Sequence, residues 1–233
     1  MPSKSGAGSS GKVGPVVAID GPSGAGKSTV SKAVAKQLGL LYLDTGALYR
    51  AIGWKAKESG TDPHNNIAMA ELCARIDVTL EADAEGGNRV LVDHQDVSDL
   101  IRTQAVASLA SAVSAQPAVR ERLLGLQREM GKRGGVILDG RDIGTVVFPD
   151  ADVKIYLDAD PDERAQRRYD ELKAKGQEVD FSTILAEVNA RDEADKGRAI
   201  APLRQADDAE VVDSTAMSAD EVIEHICFMI ENG

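Results

Sequence analysis

The chain has 233 residues, 42% hydrophobic and 28% charged, a balance that excludes a disordered or collagen-like protein. Its length suits one large domain, or one domain carrying an insert. With 27 Lys and Arg against 38 Asp and Glu, the formal charge is −11, which argues against a general nucleic-acid-binding surface but leaves room for a local basic pocket. Only 3% of residues are aromatic, so the core must rest on Ala, Val, Leu and Ile. No apolar run approaches the roughly 18 residues of a membrane span. Residues 1–14 lack the apolar centre of a signal peptide and read as a flexible tail. Cys73 and Cys227 have no metal-binding spacing around them, so they read as buried thiols in a reducing cytoplasm.

In chain order, Val16 to Asp20 is a short β-branched run that predicts a strand buried on both faces. Glycines follow, then a helical pattern from Lys27 to Leu38 with Gly39 as its C-cap. Leu40 to Leu43 predicts a second strand, and helical spacing resumes from Ala47 to about Lys57. This alternation predicts βαβ units around a parallel sheet. Val78–Leu80 and Arg89–Val92, separated by the glycine-rich stretch 85–88, predict a hairpin in a small β insert. A helix is expected from about Asp99 to Ala115, stopped by Gln116-Pro117, and Pro117 opens another that reaches about Met130. Val136–Leu138 and Val153–Leu157 predict strands, with helices at about 161–175 and 181–195 beyond them. A last strand at Val211-Val212 precedes a helix from about Ser218.

Gly21-Pro22-Ser23-Gly24-Ala25-Gly26-Lys27-Ser28 matches G-x-x-x-x-G-K-[ST] between a strand and a helix. The glycines let backbone N–H groups turn around phosphate oxygens, Lys27 can reach the β- and γ-phosphates, and the Ser28 hydroxyl can ligate Mg²⁺. Asp44-Thr-Gly-Ala-Leu-Tyr-Arg50 ends the second strand, where Arg50 can hold a second anion or remain a solvated arginine. Asp139-Gly-Arg-Asp142 ends another strand, and an acid there suits the second magnesium-linked position. Arg164, Arg167 and Arg168 share one helical face, as do Arg191, Asp195 and Arg198 if their helix continues that far. Each set could be ordinary surface ion pairing, or charge neutralisation during phosphoryl transfer.

The segments IDGPSGAGKST, LDTGALYR, IRTQAVASLASAVSAQPAVR, LDGRDIGTVVFPDA and ARDEADKGRAIAPL, in this order over residues 15–232, resemble the bacterial cytidylate kinases of the nucleoside monophosphate kinase branch. No N-K-x-D guanine-reading motif accompanies them. The resemblance implies an α/β P-loop NTPase fold with a five-stranded parallel sheet flanked by helices, plus a small antiparallel β insert and a helical lid. It divides the chain into a core at 15–60 and 98–233, a monophosphate-binding insert at about 61–97 and a lid at about 160–180. It assigns Gly21 through Ser28, with Thr29, to the phosphates of ATP, and it assigns Ser28 and Asp139 to Mg²⁺. CMP or dCMP is the implied acceptor. Ser111, Arg120 and Asp142 would meet the pyrimidine, Asp195 the sugar hydroxyls, and Arg50, Arg141 and Arg191 mainly the phosphate, with Thr45 and Arg198 completing the set. Lys27, Arg141, Arg164 and Arg191 would act on the transferring phosphoryl. A monomer in the cytoplasm, without nucleic-acid or membrane partners, is expected. A kinase for another monophosphate or small metabolite, or a P-loop switch, is the alternative.

Overall fold

Residues 13–83 and 86–232 are described in the computed structural model, so most of the expected tail and Glu85 of the expected turn lie outside the described residues. Five parallel strands form the main sheet: β1 (Val16–Asp20), β2 (Leu41–Asp44), β6 (Val136–Gly140), β7 (Val153–Asp158) and β8 (Glu210–Asp213), in the order β2-β6-β1-β7-β8. β1 is central, and all five of its residues are buried. Its side chains alternate between two apolar layers. Val16 and Ala18 join the layer under helices α2 (Thr45–Glu58), α4 (Gln104–Ser114) and α5 (Pro117–Gly131), whereas Val17 and Ile19 join the layer under α1 (Lys27–Leu38) and α8 (Ala219–Asn232). Covering both faces is what a continuous apolar strand requires.

The insert contains a helix that the sequence pattern did not predict, α3 (Asn66–Arg75), whose first turn is capped by the Asn65 side chain accepting from Ile67 and Ala68 N–H. β3 (Val78–Ala82) and β4 (Asn88–Val92) pair antiparallel as expected, and a short β5 (Gln95–Asp96) extends them to three strands. The β4–β5 turn was not legible because Asp93 and His94 adopt φ of 50° and 65° without the glycine that usually marks such a turn. Asn88 fastens this sheet to the core, accepting from Asp44 N–H at 2.7 Å and donating to the Tyr42 carbonyl at 2.8 Å. The single helix expected at 99–115 is instead a 3₁₀ turn (Leu100–Arg102) followed by α4. Thr103, extended at φ −84°, ψ 155°, breaks it and caps the new helix by accepting from Val106 N–H. The tail expectation is also shortened, since Val13 N–H already donates to the Arg133 carbonyl. Helices α6 (Pro161–Ala174) and α7 (Phe181–Lys196) pack on each other between β7 and β8 in sequence.

Gly21 links β1 to the glycine-rich loop at φ 150°, and a Cβ there would lie 1.9 Å from the Leu157 carbonyl oxygen on β7. Gly21→Ala should therefore destabilise the protein by about 2–4 kcal/mol, through backbone strain and displacement of a core strand. Urea denaturation measures this, and a loss below about 0.5 kcal/mol would contradict the packing described.

Candidate active site

The C-terminal ends of β1, β2 and β6 lie side by side, so the segments that follow them converge beyond one edge of the sheet. The loop after β1 turns through Gly24 and Gly26 at φ 82° and 90° and enters α1 with no side-chain cap, leaving first-turn amides for an anion. Lys27 is buried, and its ammonium donates to the Pro22 carbonyl at 2.5 Å. Burial, reinforced by the nearby Arg141 charge, holds the Lys27 pKa well below the ordinary lysine range. Ser28 donates to Asp139 Oδ2 at 2.6 Å, and Tyr42 donates to the other oxygen at 3.2 Å. Burial, followed by the neighbouring Asp44 charge, pushes the Asp139 carboxyl up to about 6. A hydroxyl beside a carboxylate is a hard-oxygen donor pair that fits Mg²⁺.

The expected acceptor residues gather next to this loop. Thr45 donates to the Asp139 carbonyl at 2.7 Å. Arg120 pairs with Asp142, donates to the Ser114 carbonyl at 3.2 Å and lies 5.8 Å from the Tyr49 ring centroid. Asp195 has no solvent exposure and is ringed by three guanidiniums: Arg141 Nε at 2.7 Å, Arg191 Nε at 3.2 Å, and Arg198. Burial alone would raise the Asp195 pKa, but these three charges outweigh it and hold the carboxyl below its usual range. The surface-pair alternative for Asp195 is thus overturned, because a solvated pair is exposed. The shared helical face is also corrected: α7 stops at Lys196, and Arg198 reaches Asp195 from the segment beyond Gly197. Arg50 stands at the margin, 40% exposed and 4.0 Å from Asp44, while Ser111 lies half-buried on α4.

The lid arginines separate. Arg164 is 2% exposed and donates inward to the carbonyls of Ala159 and Ser23 and to both oxygens of Asp192. The guanidinium expected on the transferring phosphoryl stands at this buried junction between the two helices and the glycine-rich loop. Arg167 turns to Ser214 and Glu163, and Arg168 to Glu171 and Gln104.

Sequence reasoning missed Asp20, whose two oxygens accept from Ile143 N–H at 2.8 Å and Gly144 N–H at 2.7 Å. These bonds hold the loop just after Arg141-Asp142, and burial pushes the Asp20 carboxyl up to about 7. An acid ending a wholly apolar strand was the available signal. It also missed Asp192, one of several acids around Arg191 with nothing in the sequence to distinguish it.

The arrangement therefore sets a glycine-rich loop and its buried lysine near a cluster of half-buried arginines gathered on the buried Asp195. A family model described as cytidylate kinase matches residues 17–232. The chain belongs to the cytidylate kinase family. Cytidylate kinase from Geobacter sulfurreducens is 52% identical over 216 residues, covering 93% of this chain and 92% of that protein. Cytidylate kinase from Pseudomonas aeruginosa is 51% identical over 213 residues, covering 91% and 93%. Among solved structures, an uncharacterized protein from Eubacterium ventriosum is similar in fold, with a TM-score of 0.53 at 12% identity, covering 94% of this chain and 99% of that one. As a cytidylate kinase family member, the chain is a nucleoside monophosphate kinase.

The raised carboxyls set a pH dependence for the nucleotide-free protein. Asp20 and Asp139, at about 7 and 6 when folded, keep protons that the unfolded chain releases near pH 4. Their stabilising contribution is complete below about pH 4 and is lost as pH rises towards 7, by up to about 1.4 kcal/mol per pH unit for each group. Asp195, whose pKa is depressed, acts below that window. Urea unfolding from pH 5 to 7 should show stability falling, with a shallower slope in Asp139→Asn. A flat profile in the parent protein would refute the assignment.

Proposed function

We propose that the chain transfers the γ-phosphoryl of ATP to CMP or dCMP, giving ADP and CDP or dCDP, with Gly21 to Thr29 on the donor and the Asp195-centred arginines on the acceptor. The acceptor class follows from the family to which the chain belongs. The observation that carries the residue roles is geometric: Asp139 accepts from Ser28 of the donor loop and, at its carbonyl, from Thr45, and Arg141, two residues further on, pairs with Asp195. Donor and acceptor groups are thus within range of each other before any substrate binds.

Phosphoryl transfer needs positioning and charge stabilisation more than covalent chemistry by the protein. Lys27 would offset charge on the donor phosphates. Arg141, Arg191 and Arg198 would receive the acceptor phosphate, with Thr45 and Arg50 at its margin. A carboxylate offers about four acceptor directions, so Asp195, with three filled by arginines, keeps one for a sugar hydroxyl. Arg120, Asp142 and Ser111 would read the pyrimidine. Ser28 and Asp139 would hold Mg²⁺, which when bound neutralises phosphate charge. The attacking group is an ionised phosphate, so no general base is assigned. Helix α6 and the segment after it, to about residue 180, would serve as the lid that excludes water from the γ-phosphate. The protein would work as a cytoplasmic monomer; among the described residues no helix is long and apolar enough to cross a membrane.

ADP release measured with CMP, dCMP, UMP, AMP, GMP and no acceptor should be fastest with the cytidine nucleotides. Turnover independent of acceptor would instead favour a nucleotide switch. Lys27→Ala should reduce kcat with CMP by roughly 10³–10⁵-fold, the scale of a transition-state cation in phosphoryl transfer. Near-parental turnover in that variant would remove the loop from the mechanism.

A further inference from the structure

Helix α7 carries Arg191 and Asp195, yet its buried residues are only Ile184, Asp192 and Asp195. Half-buried Phe181, Leu185 and Val188 add to Ile184, and Phe181 meets the Tyr169 ring of α6 edge-on. One fully buried apolar side chain is still a small anchor for 16 residues, so polar contacts contribute to its placement. On α6, the buried residues are only Arg164 and Ala165. The two helices meet at Arg164–Asp192, a bidentate pair with contacts of 3.0 and 2.5 Å. The same guanidinium donates to the Ser23 carbonyl at 2.9 Å, inside the phosphate loop. The loop also rests on the Arg164 stem: a Cβ at Gly24 would lie 3.2 Å from Arg164 Cβ. Asp192 directly follows Arg191 and lies less than one helical turn before Asp195, so fixing Asp192 fixes both.

We propose that Asp192 is a positioning residue. Through Arg164 it ties α7, and with it the acceptor arginines, to the Ser23 carbonyl of the donor loop, so that the two phosphate sites keep one spacing. The inference rests on the residue roles proposed for Arg191 and Asp195. It requires no contact between Asp192 and either nucleotide. A bidentate guanidinium–carboxylate pair suits this task because its planar geometry fixes orientation as well as distance.

The two partners should differ kinetically. Asp192→Asn leaves Arg164 on the Ser23 carbonyl, so KM for CMP should rise about 10–100-fold while KM for ATP stays within about threefold of the parent. Arg164→Met removes both connections and should raise both KM values. A purely structural pair would lower Tm and the active fraction, with both KM values unchanged. If Arg164 instead acted directly on the phosphoryl, Arg164→Met would reduce kcat at saturation by at least about 10³-fold while Asp192→Asn left KM for CMP unaltered. Either result overturns the proposal. Should Asp192→Asn not fold, the double variant Arg164→Met with Asp192→Leu decides, since apolar replacement of both partners of a buried ion pair is often tolerated. It should melt near the parent and show raised KM for both substrates, and parental kinetics would sink the idea. A parent enzyme inactive towards CMP would fail the functional reading itself, whereas an unaltered Asp192→Asn in an active enzyme fails only this inference.

Discussion

Like charges repel, and a protein that must receive two phosphate-bearing molecules has to assemble its cations before either arrives. Here five arginines gather on three carboxylates: Arg120 on Asp142, Arg164 on Asp192, and Arg141, Arg191 and Arg198 together on Asp195. Removing one partner of such a buried pair costs about 3–5 kcal/mol, because the other charge is left without compensation. That penalty keeps the constellation assembled without substrate. Phosphoryl transfer benefits from this state directly, since a preorganised charge pays no reorganisation when the transition state forms.

The sheet supplies the geometry on which these pairs depend. With β1 between β6 and β7, and β2 beyond β6, the loops after β1, β2 and β6 must open at the same edge. Asp20 then closes the arrangement from below, as its carboxylate binds the two amides that follow Arg141-Asp142. β1 thereby orients the segment after β6 through hydrogen bonds from backbone amides to Asp20. On the other side, Asn88 links the insert to Tyr42 and Asp44, so the short antiparallel sheet shares the core layer under α2 instead of forming one of its own.

Helices α6 and α7 are held differently. Their buried residues include the charged Arg164, Asp192 and Asp195 beside Ala165 and Ile184, and their polar contacts run through arginines to the glycine-rich loop, to Ser214 and to Gln104 at the start of α4. Segments with few buried apolar contacts open at low free-energy cost. Polar pairs that re-form with defined geometry suit the lid role proposed for α6.

The sequence by itself determined the elements whose signals are local. The β-branched runs of β1, β6 and β7, the glycine loop opening α1, and Pro117 at the start of α5 follow from steric and hydrogen-bonding rules that act within a few residues. The glycine–lysine–serine motif marked the loop proposed for the donor for the same reason. Tertiary structure alone decided the partners. Nothing in the order of residues distinguishes Arg164, buried on Asp192, from Arg168, which reaches the surface Gln104, because both lie on a charged helix at compatible spacing. Spacing already grouped Asp195 with Arg191 and Arg198, but its third partner, Arg141, comes from the distant segment after β6, and Asp20 acquired its role only when β1 and β6 became neighbours. Pairing of charges is settled by which segments the sheet brings together, and a long-range contact leaves no periodic trace in the chain.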